Sequence, residues 1–356
     1  MKKRILSVLL LTSVLVFLCA CSGPAKNTGS ENTLTVLNYG KYMDEAVIEQ
    51  FENETGITVK YEEYESPEEM YTKYKAGSIS YDVICSSEYM IERLINENEV
   101  MQMDFEAMDN YKNLDPSVLN MTLAYDKKHQ YSVPYFYGTL GLLYRKDAVT
   151  PETVSSWDCL WDPTYEDEVI MENSERDSFA PALISLGYSI NDTDETHLNN
   201  ALEILKQQKK DGIVYAYYVD EICDSMISEE ARIALCYSGE AALAMQENDN
   251  LGYSVPKEGS NLWIDSWFIP KSCNNQKAAL MFLNFICRED IAEKNFDYVQ
   301  YATPITEVKK KQSADVKKNE AINPSQKTME RCELFSALSD EESALYSRLW
   351  QELLVD

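Results

Sequence analysis

The feature that most restricts the fold is the order of elements in the first hundred residues, where short apolar strands alternate with capped helices. Leu34–Asn38 has the composition of a strand. Asp44 then stands where a helix N-cap belongs, Val47, Ile48 and Phe51 share one helical face, and Gly56 falls where a left-handed C-cap would end the helix. Ile57–Tyr61 predicts a second strand. Ser66-Pro67-Glu68-Glu69 is a capping box with proline at the first helical position, so a second helix opens there. Asp82–Cys85 predicts a third strand, followed by a helix through Ile91, Leu94 and Ile95. Parallel neighbours need such helical crossovers, so this βαβαβ order predicts an open, largely parallel sheet.

The alternation resumes further on. Tyr131–Arg145 is apolar and aromatic, with Pro134 and Gly138 inside it, and reads as the run that carries the chain from one lobe to another. A second α/β set follows. Its parts are a strand at Glu168–Met171, a helix through Phe179 to Leu186, a helix with Leu198, Ala201, Leu202 and Leu205 on one face, a strand at Arg232–Cys236 and a helix at Glu240–Gln246. Asn275–Glu293 is apolar nearly all round and predicts one long buried helix. Lys309-Lys310-Lys311 reads as a solvated connection. Ser339-Asp340-Glu341-Glu342 is another capping box, opening a last helix that carries Leu345, Leu349 and Leu353. With 356 residues, 45% of them hydrophobic, the chain can fill two lobes.

The N-terminus has the pattern of a targeting segment: Lys2, Lys3 and Arg4, then an apolar run from Ile5 to Ala20 that is short for a membrane span. It ends in Leu18-Cys19-Ala20-Cys21, which resembles the lipobox of bacterial lipoproteins. That resemblance implies lipidation of Cys21, hence anchoring to a membrane face. Residues 24–32 are small and polar, a flexible tether. No later stretch is long and apolar enough to cross a bilayer. The seven cysteines beyond Cys21 are scattered, lack CxxC spacing and lie partly in apolar runs, as small buried hydrophobes do.

The formal net charge of -28 argues against a nucleic-acid partner, since phosphate contacts need a basic surface. It favours encounter with a cation. The run Leu262-Trp263-Ile264-Asp265-Ser266-Trp267-Phe268-Ile269-Pro270 predicts a buried strand stopped by proline, with one carboxylate inside it. Burying Asp265 is costly unless a cation or several donors meet it. Trp263, two residues earlier, shares its face of the strand. An indole beside a carboxylate suits an alkylammonium ion, and an ordinary Asp satisfied by backbone or arginine is the competing reading. Ligands of open α/β sheets bind beyond the carboxyl ends of the strands. Those ends carry Tyr39 and Tyr42; Ser86, Ser87, Glu88 and Tyr89; Glu172, Ser174, Glu175 and Asp177; and Tyr237 and Ser238. The nearby basic residues are Lys41 and Arg176. The acidic runs at residues 61–65 and 172–177 fit exposed acids better than a catalytic carboxylate pair. Of the two histidines, His129 and His197, neither sits in a triad or metal pattern, and no P-loop or GxGxxG occurs.

A resemblance then connects these segments. Asn38-Tyr39-Gly40-Lys41-Tyr42, Asn53-Glu54-Thr55-Gly56-Ile57, Tyr81-Asp82-Val83-Ile84, Val133-Pro134-Tyr135, Ser156-Trp157-Asp158, Leu186-Gly187-Tyr188-Ser189, Pro256-Lys257-Glu258-Gly259, Trp263-Ile264-Asp265-Ser266 and Tyr301-Ala302-Thr303-Pro304 stand in an order that resembles the spermidine/putrescine-binding proteins of bacterial ABC importers. The resemblance implies a two-lobed, type II periplasmic-binding-protein-like α/β fold, each lobe an open mixed sheet flanked by helices, with the ligand cleft between them. It implies one lobe from residues 33–137 plus 262–306 and the other from 138–261 plus 307–356. The family's binding positions fall on Tyr39, Tyr42, Ser87, Tyr89 and Asp177, and on Tyr237, Trp263, Asp265, Tyr301 and Glu333. Tyrosines replace familiar tryptophans at 39 and 237, and Ser174 replaces a familiar acid. The implied partners are a polyamine, a membrane permease with its ATPase and the membrane itself, with no cofactor and a monomeric chain. Without the resemblance, the residues leave open a solute-binding lipoprotein for another small ligand, or an extracytoplasmic hydrolase.

Overall fold

The computed structural model describes residues 32–355, so the leader, most of the tether and the expected lipidation site Cys21 lie outside the described residues. The first unit is β1 (Thr33–Tyr39), α1 (Glu45–Thr55), β2 (Thr58–Tyr64), α2 (Pro67–Ala76), β3 (Val83–Ser86) and α3 (Glu88–Asn96). The local signals do what their chemistry demands. The Asp44 carboxylate accepts the Ala46 N–H, and Gly56 closes α1 at φ 69°, which lacks strain only without a Cβ. Ser66 caps α2 on the Glu69 N–H with Pro67 behind it.

After α4 (Pro116–Thr122) comes β4 (Ser132–Arg145), 14 residues long. The second unit is β5 (Val169–Glu172), α5 (Glu175–Ser185), α6 (Glu195–Lys210), β6 (Val214–Tyr218), α7 (Ile222–Ile227), β7 (Ile233–Tyr237), α8 (Ser238–Glu247) and β8 (Leu251–Ser254). Then come β9 (Leu262–Phe268), α9 (Gln276–Ile286), α10 (Glu289–Val299), α11 (Thr306–Lys311), α12 (Ala314–Lys318), α13 (Gln326–Met329) and α14 (Asp340–Val355).

The strands run in the order β2-β1-β3-β9-β4-β7-β5-β6, with β8 also paired to β4. β2-β1-β3 and β7-β5-β6 are parallel trios. Each is joined to the rest by antiparallel pairing, β3 to β9 and β4 to β7. β4 belongs to both halves: residues 132–139 pair with β9 and residues 140–144 with β7. One large apolar cluster spans both halves, and a smaller one lies behind each. Leu37, Met70, Ile84 and Ile91 pack behind the first trio. Trp157, Phe179, Leu202 and Leu349 pack behind the second, where α14 lies on α6.

Two expectations need correction. The run 275–293 is two helices, because Arg288 turns extended (φ -69°, ψ 143°) and caps α10. Its guanidinium holds Asp290 and Glu54. Lys309 is no solvated turn: it lies in α11, pairs with Asp115 at 2.8 Å and bonds the Tyr137 hydroxyl at 3.2 Å. β6 and β8 are strands that the pattern did not announce. β6 is a half-buried edge strand and β8 is only four residues long and contains Gly252. The capping box at Ser339 is reciprocal, Ser339 N–H to Glu342 and Glu342 N–H to Ser339 Oγ. The seven cysteines of the described residues are free thiols.

Candidate functional site

Asp265 lies in the middle of β9, opposite Phe136 of β4. The register slips by one residue there, between Pro134 and Phe136. Pro134 has no N–H for the ladder, and an extra residue in one strand re-aims its side chain. That residue is Tyr135. Its hydroxyl donates to the Tyr42 carbonyl at 2.9 Å, which fastens the loop after β1. The Tyr42 hydroxyl in turn donates to Asp265 Oδ2 at 2.7 Å, and the Tyr39 hydroxyl lies 3.4 Å from Oδ1. Among the described residues no lysine or arginine pairs with Asp265. Burial pushes its carboxyl up to about 7, and the Tyr42 and Tyr39 hydroxyls pull the other way.

From Asp265 a line of rings runs across to the second half of the sheet. Tyr42 meets Tyr301 edge-on with centroids 5.7 Å apart, Tyr301 meets Trp263 at 4.9 Å, and Trp263 meets Tyr237 at 6.2 Å. The Tyr237 hydroxyl then donates to Asp177 Oδ2 at 2.7 Å. Asp177 also accepts from Ser174 Oγ at 2.6 Å and lies 3.5 Å from the Asn261 amide. Burial raises its proton affinity, and the Ser174 and Tyr237 hydroxyls oppose that. Two buried carboxyls are thus joined by four aromatic rings, one drawn from each of four separate chain segments. Edge-to-face contact sets ring edges on negative π-faces, the same surfaces that attract a cation.

Two glycines make the line possible. A Cβ on Gly239 would sit 1.8 Å from the Tyr301 ring, and one on Gly138 would sit 2.5 Å from Trp263 Cζ2. Gly239→Ala is expected to push Tyr301 off Trp263 and weaken cation binding roughly tenfold or more, about the value of one cation–π wall. Titration calorimetry reads the change, and unaltered affinity would show that the ring is no wall of the site.

The other expected residues divide. Ser87 Oγ is buried and unpartnered at the N-cap of α3. Tyr89 bonds Glu68 at 3.0 Å and lies edge-on to Phe335. Glu333 is exposed and takes the Ser189 hydroxyl, while its backbone bridges alongside Asn261 and accepts the Leu262 N–H at the start of β9. Arg176 is not free for Asp177: it lies 3.9 Å over the Phe335 ring and bonds the Ser336 carbonyl and Asn191.

In the acidic run 172–177, Glu172 and Asp177 are buried where exposure was expected, and Glu88 beyond β3 is buried too. Glu172 and Glu88 are each 1% exposed. β9 runs past the end of β3, and there Glu88 Oε2 takes the Ile264 N–H at 3.0 Å in place of a strand partner. Its other oxygen has no partner, and burial pushes the carboxyl up to about 8, against the pull of the Ile264 N–H. Asn261 and Glu240 were not singled out from the sequence. The position of Asn261, two residues before Trp263, is the one local hint of it.

Two sheet halves bridged by rings, with buried acids that no lysine or arginine pairs with among the described residues, have the make-up of a two-lobed solute-binding protein. The chain belongs to the bacterial extracellular solute-binding protein family, whose model matches residues 46–324. It is 33% identical to the spermidine/putrescine-binding periplasmic protein of Salmonella typhimurium, over 92% of this chain and 93% of that one. It is 32% identical to the protein of the same name from Escherichia coli, over the same shares. Among solved structures it superposes on the spermidine/putrescine ABC transporter substrate-binding protein of Streptococcus pneumoniae with a TM-score of 0.80 and 34% identity, over 91% of this chain and 99% of that one. The fold is the type II periplasmic-binding-protein fold, and the family is one of solute-binding proteins, not of enzymes. No helix of the described residues is long and apolar enough to cross a membrane.

Proposed function

We propose that the protein captures an aliphatic polyamine, spermidine or putrescine, by closing its two lobes around it, and hands it to a membrane permease served by an ATPase. The observation that carries this is the ring line between Asp265 and Asp177, two buried carboxyls with no lysine or arginine paired to either among the described residues. A polyamine is the chemical complement: ammonium groups separated by methylenes, charge for the acids and stem for the rings. Asp265 anchors one ammonium from the first lobe and Asp177 reaches from the second. Tyr39, Tyr42, Ser87, Tyr89, Tyr237, Trp263 and Tyr301 wall the stem, and Glu333 stands at the rim. A ligand that touches both lobes favours the closed state by its differential contacts. The names of the similar proteins support the same ligand class.

In this reading residues 33–137 with 262–306 form one lobe and residues 138–261 with 307–356 the other. The monomer is held to the outer face of the cell membrane by lipid on Cys21, without cofactor. Titration with spermidine and putrescine tests the ligand. The expected result is saturable heat and, at amine 100-fold above Kd, stabilisation by about 2.7 kcal/mol. No heat and no thermal shift with either amine rejects the reading.

A further inference from the structure

Behind the ring line, in the second half of the sheet, is a pair of acids that the reading above does not use. Glu172 ends β5, and Glu240 lies in the first turn of α8 just beyond β7. Both therefore sit at the carboxyl ends of neighbouring parallel strands, where the sheet places its ligands. Glu172 is 1% exposed, and its Oε2 is buried with no hydrogen-bond partner. Glu240 Oε2 is buried and unpartnered as well. Among the described residues neither carboxyl forms an ion pair. Leaving such groups unmet is expensive in a folded interior.

The pair lies beside the ring line: Glu240 follows Gly239, against which the Tyr301 ring packs, and Glu172 ends the strand paired with the one that ends at Tyr237. Burial first, and then the Glu240 charge, raises the proton affinity of Glu172, while burial and then Asp220 raise that of Glu240. The Tyr301 ring is laid over Gly239, next to Glu240, and meets Tyr42, which bonds Asp265. No group of three His, Cys, Asp or Glu side chains among the described residues is spaced to hold a metal ion. Buried, unpartnered carboxylate oxygens accept hydrogen bonds, and an organic ammonium supplies both the charge and the hydrogens to donate.

We propose that Glu172 and Glu240 form a third ammonium anchor, beyond Tyr301 from Asp265, which makes the cleft favour amines carrying three or more positive charges over diamines. This rests on the polyamine reading and adds to it a selectivity determinant. A diamine spans two anchors and leaves the third carboxyl pair unmet. A triamine meets all three, and that difference is the source of discrimination.

The test is titration calorimetry of the unaltered protein, Glu172→Gln and Glu240→Gln with putrescine and with spermidine. The expected result is spermidine bound roughly tenfold or more tighter than putrescine by the unaltered protein. In each variant spermidine should weaken about tenfold, with putrescine held within about threefold, as for the loss of one charged contact. Retained putrescine binding also reports that the variants fold. Both amines bound with an unchanged ratio in both variants, or both weakened alike, overturns the third anchor alone. Neither amine bound by the unaltered protein overturns the polyamine reading and this anchor with it.

Discussion

Asp265→Asn is expected to weaken polyamine binding by about 30-fold to several-thousand-fold, the 2–5 kcal/mol that follows when one partner of a buried charge pair is neutralised. The substitution keeps the volume, and the amide oxygen can still accept from Tyr42, whose hydroxyl lies 2.7 Å from Oδ2 in the parent. What is lost is charge. Without amine, the same variant should be more stable above neutral pH, not less. Burial lifts Asp265 from an ordinary value of 3.8 to about 7, so holding it ionised with no cation costs on the order of 4 kcal/mol. Opposite signs for stability and affinity distinguish a binding carboxylate from a structural one. Thermal denaturation and calorimetry on the same sample read both. A variant that binds spermidine like the parent removes Asp265 from the anchor role, and one that melts lower without amine makes it a structural group.

Much of this architecture was legible because local chemistry dictates it. Asp44, Ser66 and Ser339 cap helices through hydrogen bonds within four residues, and such bonds are visible in sequence. The face shared by Trp263 and Asp265 follows from the two-residue period of a strand. What escaped depends on partners far away. Lys309 looks like part of a basic surface run until Asp115, 194 residues earlier, is brought to it. The apolar pattern of 275–293 runs straight through Arg288, whose turn is held in part by Glu54 from α1. Glu88 and Glu172 look like loop acids because burial of a carboxyl leaves no local mark. Glu88 is buried by β9 crossing the end of β3, and Glu172 by the elements around β5. Tyr135 was legible only as part of a family motif. Pro134 beside it was the physical sign, since a proline inside a paired strand forecasts an irregular ladder.

The same buried acids predict that binding is linked to protons. Asp265 is pushed to about 7 and Glu88 to about 8, in both cases by burial first. Asp177, Glu172 and Glu240 are raised by the same cause. An alkylammonium group titrates near 10, as lysine does, and stays charged across this range. It needs carboxylates, so the acids must release protons when amine binds. Affinity should therefore fall as pH drops from about 8.5 to 6, by roughly tenfold for each pH unit and each proton released. Without amine the sign reverses. These carboxyls bind protons more tightly folded than unfolded, so stability falls as pH rises from about 4 through about 8, and the net charge of -28 adds self-repulsion. The upward shift in melting temperature caused by amine should consequently grow with pH while the baseline drops. Calorimetry in two buffers of different ionisation enthalpy at pH 7.5 counts the protons directly. One or more released per amine is the expected result. No release, together with pH-independent affinity between 6 and 8.5, would mean that the acids already carry full charge before the amine arrives, and the cleft would then draw its ligand by plain attraction without a proton switch.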